Sequence, residues 1–596
     1  MFNICDFIKN RLKEIFNFLL HKSLLNKIQP NEEESMKIYS KSKVFSLIFL
    51  CGLFFVTVFF HTGHTTSIEQ MFVHTKAISL GNAVTAYPPG LMSIHYNPAG
   101  LSNVREGIVF SQGFHIVHHK TTHNFSPDPS FSLRGGQFQS IHDPVANTES
   151  DSADSRIYIP FYGKGDFPVL MMPLPFGISS RQAGSQWTFA YAVYAPYVWG
   201  EESEDNSSAS FQKKSAYMQH FMYAAPAVSY QFSDQFSVGL TLGLGQTAMG
   251  LETDIRMPNE LMAALYEIKN GSYIFRPEMS PFDHFATMDL SMRSKHEITP
   301  SFNVGFLWEP LSWLAIGCVY QSQIRSDLEG HFKIDYTQIF QSIMAEIQSN
   351  IPKTQPFFDA DPYVNQYIKD TSQLARQLGS LNKKTQAGTV SMDNFSFPER
   401  IQLGLRLRPF KKLRLMCDMH WANWLNTKSY TLKFQPEDRS MLSVIQLANI
   451  TGYSLDPTNP NTLIYKKELK PTFHISFGLE YQIKECLALR FGYENRKSNT
   501  DNEYFDLYTM PDIDFYGAGL GWKLRQGVEL DLGMGYMVNS GEEINNGISQ
   551  NLNQYSSSIY SPYAGQHCKT TFEAYFLSMN VTMPFETMYQ KLDKLF

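Results

Sequence analysis

The chain has 596 residues, of which 14% are aromatic and only 18% are charged, below the roughly 25% charge of an average soluble domain. A net charge of −6 argues against a nucleic-acid-binding protein, which needs a basic face. A mean hydropathy of −0.25 excludes a polytopic helical membrane protein. The composition leaves either several soluble domains or one large β-structure.

Residues 36–67 have the parts of a secretory signal. Met36 is followed by a basic stretch, by the apolar run 44–60 and by a short polar exit that ends at Ser67. We expect cleavage after Ser67, although the apolar run is also just long enough for a retained anchor. Residues 1–35 are interpreted as an upstream artefact or an unstructured leader.

Beyond residue 236, apolar and polar residues alternate along many short segments. The clearest examples lie at 236–244, 302–308, 401–407, 473–481, 487–493 and 528–536. Because successive side chains of a strand point to opposite faces, one face of each segment is apolar. The other face carries glycine, serine and charged residues. This alternation predicts β-strands.

The connections between these strands are sorted by length. Short links alternate with long excursions, which are 255–286, 333–397, 435–469 and 539–568. Short turns at one end and long loops at the other are typical of an outer-membrane barrel, with its turns in the periplasm. We therefore predict an all-β protein, an antiparallel transmembrane barrel over residues 106–585 with long extracellular loops. The alternation ends at Phe585, so residues 586–596 are predicted to be a tail.

Rings and thiols fit this barrel. Six aromatic residues lie at strand ends and predict the girdles at the membrane surfaces: Trp308, Trp421, Tyr481, Tyr493, Trp522 and Tyr536. Cys318 and Cys417 fall on the apolar face. Cys486 and Cys568 belong to opposite ends of the barrel, so we expect no disulfide between them.

No catalytic or cofactor motif stands out. His115, His118, His119 and His123 follow the first strand pattern at 107–118 and are interpreted as a polar loop rather than a metal site. No nucleophile elbow or other hydrolase motif is present. We expect no enzymatic activity, no cofactor and no bound metal.

Residues 76–101 read KAISLGNAVTAYPPGLMSIHYNPAGL. The GNA-x-TA run and the NPAGL motif resemble the N-terminal hatch of the FadL/OmpP1/TodX family of outer-membrane transporters for hydrophobic compounds. The stretches 397–410 and 418–424 and the hairpins at 473–494 and 515–537 look similar, so the resemblance covers nearly all of the mature chain. It implies a barrel of about 14 strands that contains a small hatch, at residues 68–105.

The resemblance also implies a function and partners. The cargo would be long-chain fatty acids or other hydrophobic small molecules, taken up passively across the bacterial outer membrane. Outer loops would capture the cargo, a pocket inside the barrel would hold it, and hatch movement would release it laterally. The partners would be this cargo, outer-membrane lipid and lipopolysaccharide. Nucleic acid is not expected, and the barrel is expected to be a monomer.

Candidate site residues come from the motif and from the lumen-facing cations. Asn97, Pro98 and Ala99 match the hatch motif and are candidates for ligand contact or gating, although Asn-Pro is also an ordinary turn former. Arg490 and Arg406 alternate onto the lumen face and could pair with a carboxylate. Lumen acids are the alternative partners of these arginines.

One loop helix is a candidate lining of an outer capture groove. Helical spacing places four apolar side chains of the first long loop on one face: Leu261, Met262, Leu265 and Tyr266. The alternative is that this face only packs one loop against another.

Two other functions remain open at this point. The long loops could make the barrel a surface interaction or adhesion protein, or the barrel could be an aqueous porin. A hatch disfavours the porin. Within the transporter class, fatty acids require a buried cation for the head group and aromatic hydrocarbons do not.

Overall fold

The structure is a computed structural model. It describes residues 73–592, apart from 160–161, 173–174, 260–261, 264–279, 297, 343, 346–382, 426–427, 444–460, 501 and 540–561. The predicted leader and signal, residues 1–67, lie outside the described part. In the part that is described, no helix is both long and apolar enough to cross a bilayer.

The described chain forms a closed antiparallel barrel of fourteen strands. The alternation and the loop lengths predicted the barrel, and the family resemblance implied the number of strands. Several strands are built of pieces separated by a bulge or an excursion. The first half of the wall consists of β1 (Gly107–Pro127), β2 (Glu149–Ile159, Gly163–Phe167, Leu170–Met172 and Phe176–Arg181), β3 (Trp187–Ser203), β4 (Ser215–Ser233), β5 (Phe236–Ile255), β6 (Ala286–Ser294 and Thr299–Leu311) and β7 (Leu314–Gln321 and Ile324–Tyr336).

The second half completes the ring. It consists of β8 (Thr385–Phe397 and Glu399–Phe410), β9 (Leu413–Asn423 and Ser429–Pro436), β10 (Thr462–Lys466 and Thr472–Lys484), β11 (Leu487–Arg496), β12 (Ile513–Lys523), β13 (Glu529–Asn539) and β14 (Gln566–Pro584). β14 pairs with β1 from Val109 opposite Pro584 to Pro127 opposite Gln566. This closure removes the free sheet edges that would otherwise pair with other chains.

A band of apolar side chains faces outward around the wall. On β6, for example, Phe302, Val304, Phe306 and Trp308 are all exposed, whereas Leu307 between them is buried. Large exposed apolar residues at every second position are those of a lipid-facing barrel surface. The predicted girdle residues lie on this face, and Trp522 is 48% exposed.

Above this band the alternation continues, but the outward side chains are now polar and the inward side chains are apolar. On β7 the outward side chains become charged (Arg325, Glu329 and Lys333), while Leu328 and Ile334 point inward and are buried. The wall therefore rises beyond the membrane with a polar outer face and an apolar inner face.

This reversal corrects the predicted loop boundaries. The excursion predicted at 333–397 is shorter, because β7 continues to Tyr336 and β8 begins at Thr385. The stretches at 435–469 and 539–568 also lose residues to β9, β10 and β14. The outward residues at these strand ends are polar and resemble those of a loop. The sequence pattern therefore predicted strands that are too short.

The same extension corrects the histidine cluster. β1 runs on to Pro127, so these residues lie in a strand and not in a polar loop. His115 and His123 are buried on the lumen side, and His123 Nδ1 lies 2.9 Å from the Thr570 hydroxyl on β14.

Residues 73–104 lie inside the lumen, where the resemblance places a hatch. They form short helical turns, which are α1 (Thr75–Ser79), a 3-10 turn (Gly90–Met92), α2 (Ser93–Tyr96) and a second 3-10 turn (Pro98–Asn103). Nearly all of their side chains are buried against the wall. We call this segment the hatch; its predicted outer limits, 68–105, stay a prediction.

Glycines on the inner face of the wall make room for the hatch. A methyl group added at Gly239 or Gly305 would lie within 3.0 Å of Pro98 or Asn97. Further inward glycines lie equally close to the hatch: Gly317, Gly404, Gly492, Gly517 and Gly519. The glycines that alternate with apolar residues in the sequence are therefore the inner surface that holds the hatch.

The thiols and the end of the chain complete the described structure. Cys318, Cys417, Cys486 and Cys568 are all free. The last strand ends at Pro584, and a short helix, α4 (Phe585–Leu592), follows it. A further short helix, α3 (Ser210–Lys213), lies between β3 and β4.

Candidate ligand-binding site

The half of the barrel at the long-loop end encloses an apolar cavity of about 240 Å³. The inner faces of β3 to β10 supply most of its lining, together with the segment after β11. Large apolar side chains in its lining include Tyr197, Trp199, Tyr217, Leu251, Ile334, Phe397, Trp424, Tyr430, Leu432, Phe434, Leu463, Tyr465 and Tyr508. No hatch residue is among the lining residues. Such a chamber suits a hydrophobic ligand.

The reversed alternation of the upper wall creates this cavity. Leu432 and Phe434 point inward from β9, whereas Lys433 between them points outward and pairs with Asp393. Inward side chains of the upper strands thus line the chamber. The pattern that extends the wall beyond the membrane is the pattern that lines the cavity.

Methionines form an unusual share of the lining. The chamber contains Met218, Met249, Met257, Met288, Met392 and Met510. Methionine is unbranched and flexible, so such a surface can adapt to ligands of different shape.

Among the described lining residues of the cavity, one side chain is charged, that of Lys467. Its ammonium group is ion-paired with Asp506, and both residues are buried. The rings of Tyr465, Tyr508 and Tyr430 lie 5.2, 5.8 and 5.9 Å from it. Burial raises the pKa of the Tyr430 hydroxyl, with a smaller contribution from Asp506, so the ring stays neutral beside the cation.

The sequence did not single out Lys467, because the stretch around it has no alternating pattern. The cations that it did single out lie elsewhere in the lumen. Arg490 Nε donates to Glu480 at 2.8 Å, and the same guanidinium pairs with Asp531. Arg490 is therefore held by lumen acids, the alternative that the sequence left open, and it does not line the cavity.

Arg406 is also engaged outside the cavity. Its Nη2 lies 2.8 Å from Glu309 Oε1, and its guanidinium is 5.7 Å from the ring of Tyr87 in the hatch. Tyr87 in turn donates to Glu480 at 3.2 Å. These charges form a polar cluster between the hatch and the wall, which holds the hatch in place.

The hatch motif is built into the same interface. Asn97 Nδ2 donates to the carbonyls of Thr85 (2.9 Å) and Phe306 (3.0 Å), and its Oδ1 accepts from Ala99 N (3.2 Å). Pro98 begins the 3-10 turn, and the Ala99 carbonyl accepts from hydroxyls of β4 and β5. These contacts tie the hatch to the wall and leave no Asn97 amide hydrogen directed at the cavity.

The predicted outer groove is described at one position only. Met262 is fully buried in the large apolar core cluster, and its backbone N donates to Asn259 Oδ1. Leu261, Leu265 and Tyr266 lie outside the described residues.

The wall is interrupted between β1 and β3. Among the described residues, β2 pairs with β3 only from Phe189 to Val193 and again at Glu202 and Ser203. In between, β2 leaves the wall as a hairpin, in which Glu149–Ile159 pairs with Gly163–Phe167. The hairpin lies on the outside of β3 to β6, where Arg156 pairs with Glu202 and Glu252 and Lys164 pairs with Asp289. β3 itself shifts register against β4 on both sides of Tyr194.

Polar side chains bridge this interruption. Thr121 of β1 donates to Glu201 of β3 at 2.8 Å, and His119 Nε2 lies 3.6 Å from the same carboxylate. Lys213 forms a buried ion pair with it. We call these residues, Thr121, His119, Glu201 and Lys213, the bridge.

Comparison with known proteins places this architecture. Residues 66–585 match the family model of the outer membrane protein transport proteins, OMPP1/FadL/TodX. The chain belongs to this family. It is therefore an outer-membrane β-barrel of the FadL family, a family of transporters for hydrophobic compounds.

Solved structures share the fold at low sequence identity. A Pseudomonas aeruginosa FadL homologue superposes with a TM-score of 0.58 at 14% identity, covering 88% of this chain and 100% of the homologue. The Pseudomonas putida toluene transporter TodX gives 0.54 at 14% identity, covering 87% and 99%. The Ralstonia pickettii toluene transporter TbuX gives 0.51 at 12% identity, also covering 87% and 99%. No curated protein sequence matches this chain.

Proposed function

We propose that this FadL-family barrel takes up long-chain fatty acids, or other hydrophobic compounds of similar shape, passively across the outer membrane. The observation that carries the proposal is the apolar cavity in the upper barrel, above a lumen that the hatch fills. Because the hatch fills the lumen, the architecture fits a transporter for hydrophobic solutes better than it fits an aqueous channel. The apolar lining provides the free energy of binding through burial of the cargo's hydrocarbon surface.

Lys467 supports a fatty acid as cargo. A carboxylate head could approach the ammonium group at the cavity's edge, while the chain lies among the methionines. Asp506 already neutralises Lys467, so a carboxylate must compete with it. An aromatic hydrocarbon needs no such contact, and it is the alternative cargo within the same pocket.

The interrupted wall supports lateral release. The cavity reaches Tyr197 and Trp199 on β3, the strand that lacks β2 beside it at this height. Cargo that leaves there emerges at the upper edge of the apolar band, beside the outer part of β2, and reaches the membrane without crossing the lower lumen. Parting of the bridge would open this route, and movement of the hatch would free the space below it.

Two measurements on the purified and the cellular protein test the proposal. Radiolabelled oleate and toluene are offered to the detergent-solubilised barrel, and oleate uptake is followed in cells that depend on this barrel. We expect saturable oleate binding and uptake at least tenfold above cells with an empty vector. A barrel that binds neither compound would contradict the proposal.

A cross-link tests the exit separately. Thr121→Cys and Glu201→Cys, in a background without the native barrel cysteines, are joined by a short bifunctional thiol reagent. We expect oleate binding to persist and uptake to fall to background, with Thr121→Cys alone as the control. Unchanged uptake after complete cross-linking would exclude this exit without affecting the proposed cargo.

A further inference from the structure

The C-terminal helix α4 begins where the lipid-facing alternation of β14 ends. Leu577 and Met579 of β14 face outward and are exposed, and the same parity leads to Phe585, the first residue of the helix. The helix follows the strand at the short-turn end of the barrel and packs against β1 and β14. It therefore continues the apolar outer surface at the seam where the barrel closes.

The helix turns its polar side toward the protein. Thr587 is buried, and its hydroxyl donates to the carbonyl of Gln526 at 3.1 Å, in the turn between β12 and β13. Tyr589, two residues later and about 200° further round the helix, points away and is 64% exposed. Phe585, four residues before Tyr589 and on the same face, is 38% exposed.

This orientation is the reverse of that in a water-soluble fold. A surface helix of a soluble protein buries its apolar stripe against the core and turns its polar side to water. In α4 the polar contact goes to the barrel, and the two large rings lie on the exposed face of the helix. Such an arrangement is stable when the apolar face meets lipid.

We propose that α4 lies in the inner leaflet of the outer membrane and inserts Phe585 and Tyr589 at the boundary between headgroups and acyl chains. The short turns place this end of the barrel at the periplasmic surface. Phenylalanine and tyrosine are suited to that depth, since interfacial helices bury such rings in the boundary region. The occupant is the phospholipid surface that already surrounds β1 and β14.

The helix would then act as a depth anchor at the seam between the first and last strands. This role does not depend on the cargo. It can therefore be tested independently of the proposed transport function. The aromatic girdle fixes the barrel wall at its rims, and α4 adds a lateral contact outside the wall.

A photo-cross-linking experiment on the full chain tests the proposal. Tyr589 is replaced by p-benzoylphenylalanine, the barrel is reconstituted into phospholipid nanodiscs and irradiated, and the adducts are identified by mass spectrometry. The control carries the same probe at His331, an exposed position on the polar outer wall above the apolar band. We expect phospholipid adducts at position 589 at least fivefold above those at position 331.

Two results would overturn the proposal. Adducts between two copies of the chain would assign the apolar face to a dimer contact instead of lipid. Lipid adducts at position 589 no more frequent than at position 331 would show that the face lies outside the membrane.

Discussion

At the residue scale, the alternation places side chains on the right face of the wall but does not reveal their partners. Arg490 and Arg406 do face the lumen, as their parity predicts. Their acids, Glu480, Asp531 and Glu309, lie on other strands, and only the strand register brings them together. Lys467 lies between two pieces of β10, where no pattern assigns it a face.

Two variants of the Lys467–Asp506 pair are predicted to change oleate affinity in opposite directions. Asp506→Asn frees the ammonium group, so we expect oleate to bind about tenfold more tightly, equivalent to about 1.4 kcal/mol. The double variant Lys467→Met with Asp506→Asn removes the cation without leaving a buried unpaired carboxylate, and oleate binding should weaken. Toluene binding should change in neither variant. Equilibrium binding of oleate and of toluene is measured for the wild type and for both variants. Unchanged oleate affinity in both variants would show that Lys467 does not belong to the site.

Asn97 is predicted to act on stability and not on ligand contact. Asn97→Ala leaves the carbonyls of Thr85 and Phe306 without their donor, a loss of about 1–3 kcal/mol for each unsatisfied group. Asn97→Asp is the matched control, because it keeps an acceptor for Ala99 N and loses both donated bonds. Heat-induced gel-shift unfolding should show both variants melting earlier than the wild type. A normal melting temperature combined with lost ligand binding would instead indicate direct contact.

At the element scale, the strand segments below the reversal of polarity could be predicted from the sequence, and those above it could not. The membrane band was predictable because apolar residues at every second position face lipid. The upper strands were missed because charged outward residues look like those of a loop, although Val390 and Met392 on β8 still alternate onto the buried inner face. The broken strand β2 has no regular alternation, so its course on the outer face could not be derived.

Neighbouring residues of β9 test this reversal directly. Phe434→Asp places a carboxylate in the apolar chamber at a cost of several kcal/mol, so oleate binding should be lost. Lys433→Asp places the same group on the outer wall and should leave binding unchanged. Oleate binding isotherms are measured for both variants. An equal loss of binding in the two would contradict the inward position of Phe434 and the outward position of Lys433.

The glycine surface gives a second prediction at this scale. Gly305→Leu introduces a side chain where even a methyl group would collide with Asn97, so the hatch must shift. We expect larger and more frequent single-channel openings in planar bilayers. Ala518→Leu, on the outward face of β12, is the control and should behave as the wild type. Closed channels in both variants would mean that the hatch tolerates the intrusion.

At the scale of the whole molecule, the barrel, its closure and its family were predictable from the sequence. Strand alternation predicted the wall, loop sorting indicated a membrane barrel, and residues 76–101 carried the resemblance that the family match confirms. The site was less accessible. The cavity depends on side chains from eight strands meeting at one height, and neither local spacing nor composition encodes that height.

The filled lumen also makes the molecule distinct from an open pore. The hatch and the charges around Tyr87 occupy the space that a porin leaves to water. We therefore expect the wild-type barrel to show no large, steady conductance in planar bilayers. Steady openings of porin size would contradict a hatch that is seated at rest.

The most direct test of the central claim is native mass spectrometry of the barrel extracted gently from outer membranes. The account predicts a co-purifying hydrophobic molecule, retained in Lys433→Asp and lost in Phe434→Asp. A barrel that arrives empty, and remains empty after incubation with oleate and with toluene, would contradict the transport function.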